Sequence, residues 1–231
     1  MAEALNRAGG GAPRFVPQAE LPAGEAYETF IARTGCVPTR DNLHDGYNGL
    51  VWLTQPALKT RLNALHAAAI AREGIGPRRS ALRDALTLFD EFGAWIEVPA
   101  AAGGTPGHAT ADTTRDDVRA AFSDALRRRD WQDLFVVHRA RWRDATVHLV
   151  GHALLEQLAV APRKGLTAHV IVGHPLALDE AAWAAKPFDP LPVLGIPGWW
   201  PANQDPAFYD DAAVFRPPMS LRDLGPAAPA A

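Results

Sequence analysis

The residues best suited to chemistry sit in two short stretches. "PTRDNLHDGYNGLVW", Pro38 to Trp52, carries His44, Asp45 and Asn48, and "GHALLEQL", Gly151 to Leu158, carries His152 and Glu156. Read at 100° per residue, each is an amphipathic helix with polar residues at the edge of an apolar stripe. The stripe is Leu43, Tyr47, Leu50 and Val51 in the first and Leu154, Leu155 and Leu158 in the second. Polar groups in such places cost free energy unless they are paired. They either hydrogen-bond the adjoining loops or face a ligand. A histidine with a carboxylate or amide one turn away suits metal ligation and general acid–base work. The expectation is therefore that His44 and His152 bind a metal. Asp45 and Glu156 are the catalytic candidates, each as a further ligand or as the general base. His152 would open its helix, where the macrodipole disfavours the imidazolium and leaves the neutral ring a metal needs. Gly151 before it permits a close backbone approach. The plainer alternative makes both histidines local locks, but one design in two helices favours a shared site.

Further polar groups are weaker candidates. Asn48, Asp90, Glu91, Trp199 and Asn203 are expected as substrate or structural contacts. "LTLFDEFGAWIEV" is read as a β-hairpin, Leu86 to Leu88 pairing with Trp95 to Val98, since two β-rich runs flank turn residues. That places Asp90 and Glu91 at its tip, either on a divalent ion or as solvated turn formers. "GWWPANQDPAFYDD" lacks a period but is aromatic-rich, as expected of an ordered coil that clamps the core or roofs a pocket. "RRRDWQDLFVVHRARW" has a composition seen in single-strand binders. The acids among its arginines and a formal net charge of −3 argue instead for a solvated face with core aromatics. No nucleophile elbow, phosphate loop or dinucleotide turn occurs. "NLHDGYN…LNALH" has the residues of a His–Asn–His nuclease, but both segments read as helix rather than hairpin plus helix.

The elements that must position these residues follow from periodicity. Helices are expected at Glu25 to Arg33, Arg40 to Gln55 and Pro56 to about Arg72, the last with Leu58, Leu62, Leu65 and Ala69 inward. Another is expected at Thr114 to Arg128, with Val118, Ala121, Phe122 and Leu126 inward. "ATVHLVGHALLEQLAVAPRKGLTAHVIVG" reads as strand, helix, strand, with a crossover near the short limit for parallel pairing. Asp179 to Lys186 makes a last short helix. Residues 1–13 and 219–231 are small- and Gly- or Pro-rich and are expected to be disordered tails. Residues 14–218 would form one α+β domain, with helices packed on a small mixed sheet that includes the hairpin. Ala100 to Thr113 reads as a loop excursion.

At 231 residues, 48% hydrophobic and 21% charged, the chain can bury a sizeable core. Cys36 is the single cysteine, so no disulfide forms within one chain and no disulfide-linked partner is expected. With no signal peptide or membrane span legible, the cytoplasm is the expected location. Neither membrane nor nucleic acid is an expected partner.

"PTRDNLHDGYNGLVWL", "RLNALH", "LRDALTLFDEFGA", "GHALLEQL" and "LPVLGIPGWWPANQDPAFYDDAAVFRPP" together resemble the bacterial family known as domain of unknown function 3025. The resemblance runs from about Pro38 to Pro218 and implies no catalytic residues. The chemistry must come from the side chains themselves. The leading expectation is a cytoplasmic hydrolase-like enzyme with a His/Asp/Glu site and a divalent metal as its cofactor. The alternative is a non-catalytic binding or scaffolding domain whose polar clusters are structural.

Overall fold

The computed structural model describes residues 1–11, 13–76, 78–98 and 115–216, with side chains in the helix after 114 described from 119 onward. The chain runs α1 (Ala2–Gly9), β1 (Arg14–Pro17), α2 (Tyr27–Thr34), β2 (Cys36–Thr39), α3 (Leu43–Thr54), α4 (Pro56–Glu73) and α5 (Ala81–Phe92). It continues β3 (Gly93–Glu97), α6 (Arg115–Arg128), β4 (Thr146–Leu149), α7 (His152–Val160), β5 (Thr167–Val172), α8 (Glu180–Ala184) and β6 (Asp189–Pro192). Helices pack on a mixed sheet of order β4-β3-β5-β6 in a single α+β domain. β3 runs antiparallel to β4 and parallel to β5, and β5 runs antiparallel to β6. A separate parallel pair joins β1 to β2.

β3 is buried on both faces, and its alternation sorts the core. Ala94 and Ile96 point to one face with Ala168, Val170 and Leu191, where Phe122, Phe135, Trp142 and Tyr209 pack. Trp95 points to the other with Ile171, where α4, α5 and Trp183 of α8 close the layer. Leu58, Leu62, Leu65 and Ala69 are all buried there, as the α4 spacing predicts.

Several expectations are corrected. The hairpin does not form: Leu86 to Leu88 and Asp90 lie inside α5, and only the Trp95 run is a strand. Ser80 caps this helix at the Arg83 amide, and Leu82, Leu86 and Phe89 supply a buried stripe of helical spacing that outweighs the turn chemistry of "DEFG". Gly93 then turns helix into strand directly; a Cβ there would sit 2.2 Å from the Phe89 carbonyl oxygen. β4 and β5 flank β3 and run in opposite directions, so "ATVHLVG…TAHVIVG" is not a parallel strand–helix–strand unit. Residues 2–9, expected within a disordered tail, form α1: Leu5 is buried and Asn6 exchanges two hydrogen bonds with the Phe15 backbone, 2.7 and 2.8 Å. In α6, Ala121 faces solvent and Ala125 takes the inward place beside Phe122 and Leu126. The Gly-rich excursion at Ala100 to Thr113 and the C-terminal tail at 219–231 lie outside the described residues.

Candidate metal centre

Three helix ends meet to build the site. α3 begins at Leu43 with Asn42 as its cap, the side chain accepting from the Asp45 amide at 2.8 Å. His44 thus stands in the first turn of α3. α5 delivers Asp90 and Glu91 in its last turn, one residue before Phe92 ends the helix. α7 opens at His152 and places Glu156 one turn on. Gly151 makes this meeting possible. It donates its amide to the Gly93 carbonyl at 2.8 Å, and a Cβ on it would lie 2.4 Å from Phe92 Cα.

The two imidazoles meet edge to face, centroids 4.5 Å apart, with their Nε2 atoms 3.0 Å from each other. Glu91 Oε2 lies 3.5 Å from His152 Nε2 and 4.0 Å from His44 Nε2. One donor atom from each of His44, Glu91 and His152 falls within a 4.8 Å span. On the far side of the rings, His44 Nδ1 pairs with Glu156 Oε2 at 3.2 Å. His152 Nδ1 looks toward Asp90 Oδ2 at 3.7 Å, too far for a hydrogen bond, and is a buried nitrogen without a partner. A proton on each Nδ1, the edge that faces a carboxylate, leaves two bare Nε2 lone pairs opposed at 3.0 Å. A cation between them resolves that opposition, and ligands at about 2.1 Å from one ion lie roughly 3 Å from each other. The donor set therefore fits a divalent metal.

Charge around the centre is ordered by Lys59, which is buried on α4. Its ammonium bonds Asp90 Oδ1 and donates to Asn48 Oδ1 at 2.8 Å; Asn48 Nδ2 in turn donates to the Tyr27 hydroxyl at 3.1 Å. Burial pushes the Asp90 carboxyl up, but Lys59 and then His152 outweigh it and hold it below the usual carboxylate range. Burial pushes His152 down, with Lys59 adding and Asp90 and Glu91 opposing. The expected neutral ring thus has burial as its main cause. Burial raises the Tyr27 hydroxyl well above its ordinary value.

The sequence-derived candidates divide sharply. His44 and His152 come together, while Glu156, expected as a ligand or general base, meets the far edge of the His44 ring and does not line the cavity. Asp45 does not join them: Arg40 holds both its oxygens through Nη2 at 2.8 Å and Nε at 3.2 Å, and its Oδ2 accepts from the Arg40 amide at 2.6 Å. Arg40 outweighs burial and keeps this carboxyl low, so Asp45 is a lock on the β2–α3 turn. Asn48 lies on the cavity wall as a partner of Lys59. Asp90 and Glu91, placed by sequence at a hairpin tip, enter the site through α5. The stripe of α3 is also rotated. Leu43 and Leu50 are exposed, while Gly49, Val51 and Trp52 are buried. Gly49 is what α1 packs on, since a Cβ there would meet Leu5 Cδ1 at 2.3 Å.

Trp199 and Asn203 belong elsewhere. The coil they occupy is ordered, with Phe208, Tyr209 and Phe215 buried, but none of its residues lines the cavity, so it is a clamp on the opposite core and not a lid. Asn203 is fully buried and donates to the Leu194 and Ile196 carbonyls at 2.9 and 2.7 Å. Trp199 is 38% exposed, and the half-buried Trp200 does the packing. Trp131, Phe135 and Trp142 are core residues, which removes the single-strand-binding composition as a surface. Lys59 and Tyr27 of the cavity are not singled out by sequence, and His66 enters only as the end of the His–Asn–His pattern. Lys59, Asn63 and His66 share one face of α4 at i, i+4 and i+7 spacing, and that is the signal that marks them.

The cavity beside the centre encloses about 350 Å³ and is lined among others by Tyr27, Asn48, Trp52, Lys59, Asp90 and Glu91. An α+β domain with two histidines and a carboxylate lining a polar cavity defines a candidate metalloprotein. The chain matches the family described as "Protein of unknown function (DUF3025)" over residues 13–182 and 171–219, and it belongs to that family. No curated protein and no solved structure matches it. No helix among the described residues is long and apolar enough to cross a membrane.

Proposed function

We propose that this protein is a metal-dependent hydrolase in which His44, His152 and Glu91 hold one divalent cation. The observation that carries the reading is the opposed pair of Nε2 atoms beside Glu91, with a carboxylate behind each ring. Carboxylates behind ligating histidines fix the tautomer and raise ligand basicity, a recurrent arrangement around protein metals. When bound, such a cation supplies Lewis acidity and activates water at neutral pH. The chain's own groups then have distinct tasks. Glu156 bonds and orients the His44 ring, and Asp90 sets the charge facing the buried Nδ1 of His152. Lys59 neutralises Asp90, which leaves Glu91 as the carboxylate free to ligate. Asn48 and Tyr27 hold the Lys59 ammonium in the cavity wall.

A second reading, a scaffolding domain with the same cluster as a lock, draws on the 3.0 Å Nε2 contact, which one shared proton would turn into a hydrogen bond. Elemental analysis of purified protein, followed by a zinc titration, separates the two. A stoichiometric ion supports the enzyme, and a stable chain that takes up none supports the scaffold. If metal is found, a panel of ester, amide and phosphoester substrates tests hydrolysis, and activity should vanish on chelation and return with the ion.

A further inference from the structure

The metal reading leaves part of the cavity wall unused. His66 of α4 is 6% exposed, and its Nδ1 has no hydrogen-bond partner; Glu28 Oε1 is 3.8 Å away. Its Nε2 stands 3.5 Å from Thr87 Oγ1, and Arg79 Nη1 donates to the same hydroxyl at 3.2 Å. Glu28, His66, Arg79 and Thr87 all line the cavity that holds His44, Glu91 and His152. A buried imidazole with an unsatisfied nitrogen calls for a reason. Here a ring edge and a guanidinium converge on the Thr87 hydroxyl, whose own proton goes to the Arg83 carbonyl at 2.9 Å.

We propose that His66 and Arg79, which meet at Thr87, form an oxyanion subsite for the substrate of the metal centre, which makes that substrate a phosphoryl or carboxylate compound. The proposal rests on the metal reading for its substrate and for part of the charge that favours an anion. Charge supports it. Arg40 is spent on Asp45 and Lys59 on Asp90, leaving Arg79 with no carboxylate partner among the described residues. Against it stand Glu28 and Glu91, and a divalent cation on Glu91 turns the local balance positive. Guanidinium and imidazole are natural donors to phosphate and carboxylate oxygens. Glu28 faces the Nδ1 edge, so an oxyanion at the Nε2 edge would place the ring between two negative groups. Burial pushes His66 down, Glu28 and Asp90 work against that, and Arg83 and Arg79 add to it.

The test is calorimetry on the zinc-loaded full chain with inorganic phosphate, and in parallel with malonate to separate a phosphoryl from a carboxylate site. Saturable binding of either anion is expected, weakened at least about tenfold by Arg79→Gln and by His66→Asn, with zinc affinity unchanged in both. Arg79 is exposed, so its variant folds even if loss of His66 disturbs the core. Anion binding that Arg79→Gln leaves as tight as before, or no binding of either anion, overturns the subsite. Arg79-dependent anion binding in a chain that takes up no zinc upholds the subsite and removes the metal reading. Zinc uptake with Arg79-indifferent anion binding does the reverse.

Discussion

His44 and Asp45 are neighbours in sequence with opposite employment, and the difference is what lies across from each. Asp45 meets the Arg40 guanidinium and amide, while His44 meets His152, Glu91 and Glu156. Asp45→Asn should therefore lower stability by about 1–2 kcal/mol, the range for a charge-assisted bond whose partner is partly exposed. Zinc affinity should be unchanged; a loss there would place Asp45 in the ligand set after all. Glu156→Gln should behave in the opposite way. It removes the carboxylate behind His44, so zinc affinity should fall about 10–100-fold while the melting temperature barely moves. Titration of His169 gives a separate check. Burial and then Lys186 depress its pKa below the ordinary 6.5. The unfolded chain therefore binds the proton first as pH falls. Stability is complete above about pH 6.5 and declines below it. His169→Gln should flatten that decline between pH 7 and 5, and an unchanged slope of melting temperature against pH would refute it.

At the scale of elements, the site depends on how closely α7 abuts the α5–β3 junction. Gly151→Ala puts a methyl group 2.4 Å from Phe92 Cα and 2.5 Å from the Gly93 nitrogen, both backbone atoms that cannot swing aside. An overpacking cost of roughly 1–3 kcal/mol is expected. Because His152 follows directly, zinc affinity should drop with stability; a variant of wild-type affinity would show that α7 tolerates displacement. This junction also marks how much of the molecule can be read from sequence. α4 and α7 are legible, with α7 starting at His152 as expected, because leucine spacing and flanking Pro56 or Gly151 agree. α5 is not, because "DEFG" carries turn chemistry while the residues that decide, Leu82, Leu86 and Phe89, pay off only against α4 and α8. Reading α5 as a hairpin put Glu91 at a separate tip, apart from His44 and His152. The rotation of α3 was hidden in the same way, since Gly46 and Gly49 become a contact face only once α1 lies on them. Sheet order was beyond reach, because pairing β3 between β4 and β5 is a matter of partners distant in the chain.

The whole molecule separates its duties. The core beneath α6 and the C-terminal coil, centred on Phe135, Trp142 and Tyr209, lies on one face of the sheet. The layer of α4, α5 and α8 that carries Lys59, Asp90 and Glu91 lies on the other. Phe135→Ala should cost about 3–5 kcal/mol, as truncation of a fully buried aromatic does, while the folded variant keeps its zinc stoichiometry. Loss of both together would show that the two faces act as one unit. The central claim is that His44, His152 and Glu91 close on one metal ion, and zinc calorimetry on wild type beside His152→Ala tests it most directly. The account predicts one ion per wild-type chain and no measurable uptake in a variant whose circular dichroism is unchanged. Equal zinc binding in both proteins, or a wild type that binds none, would contradict it.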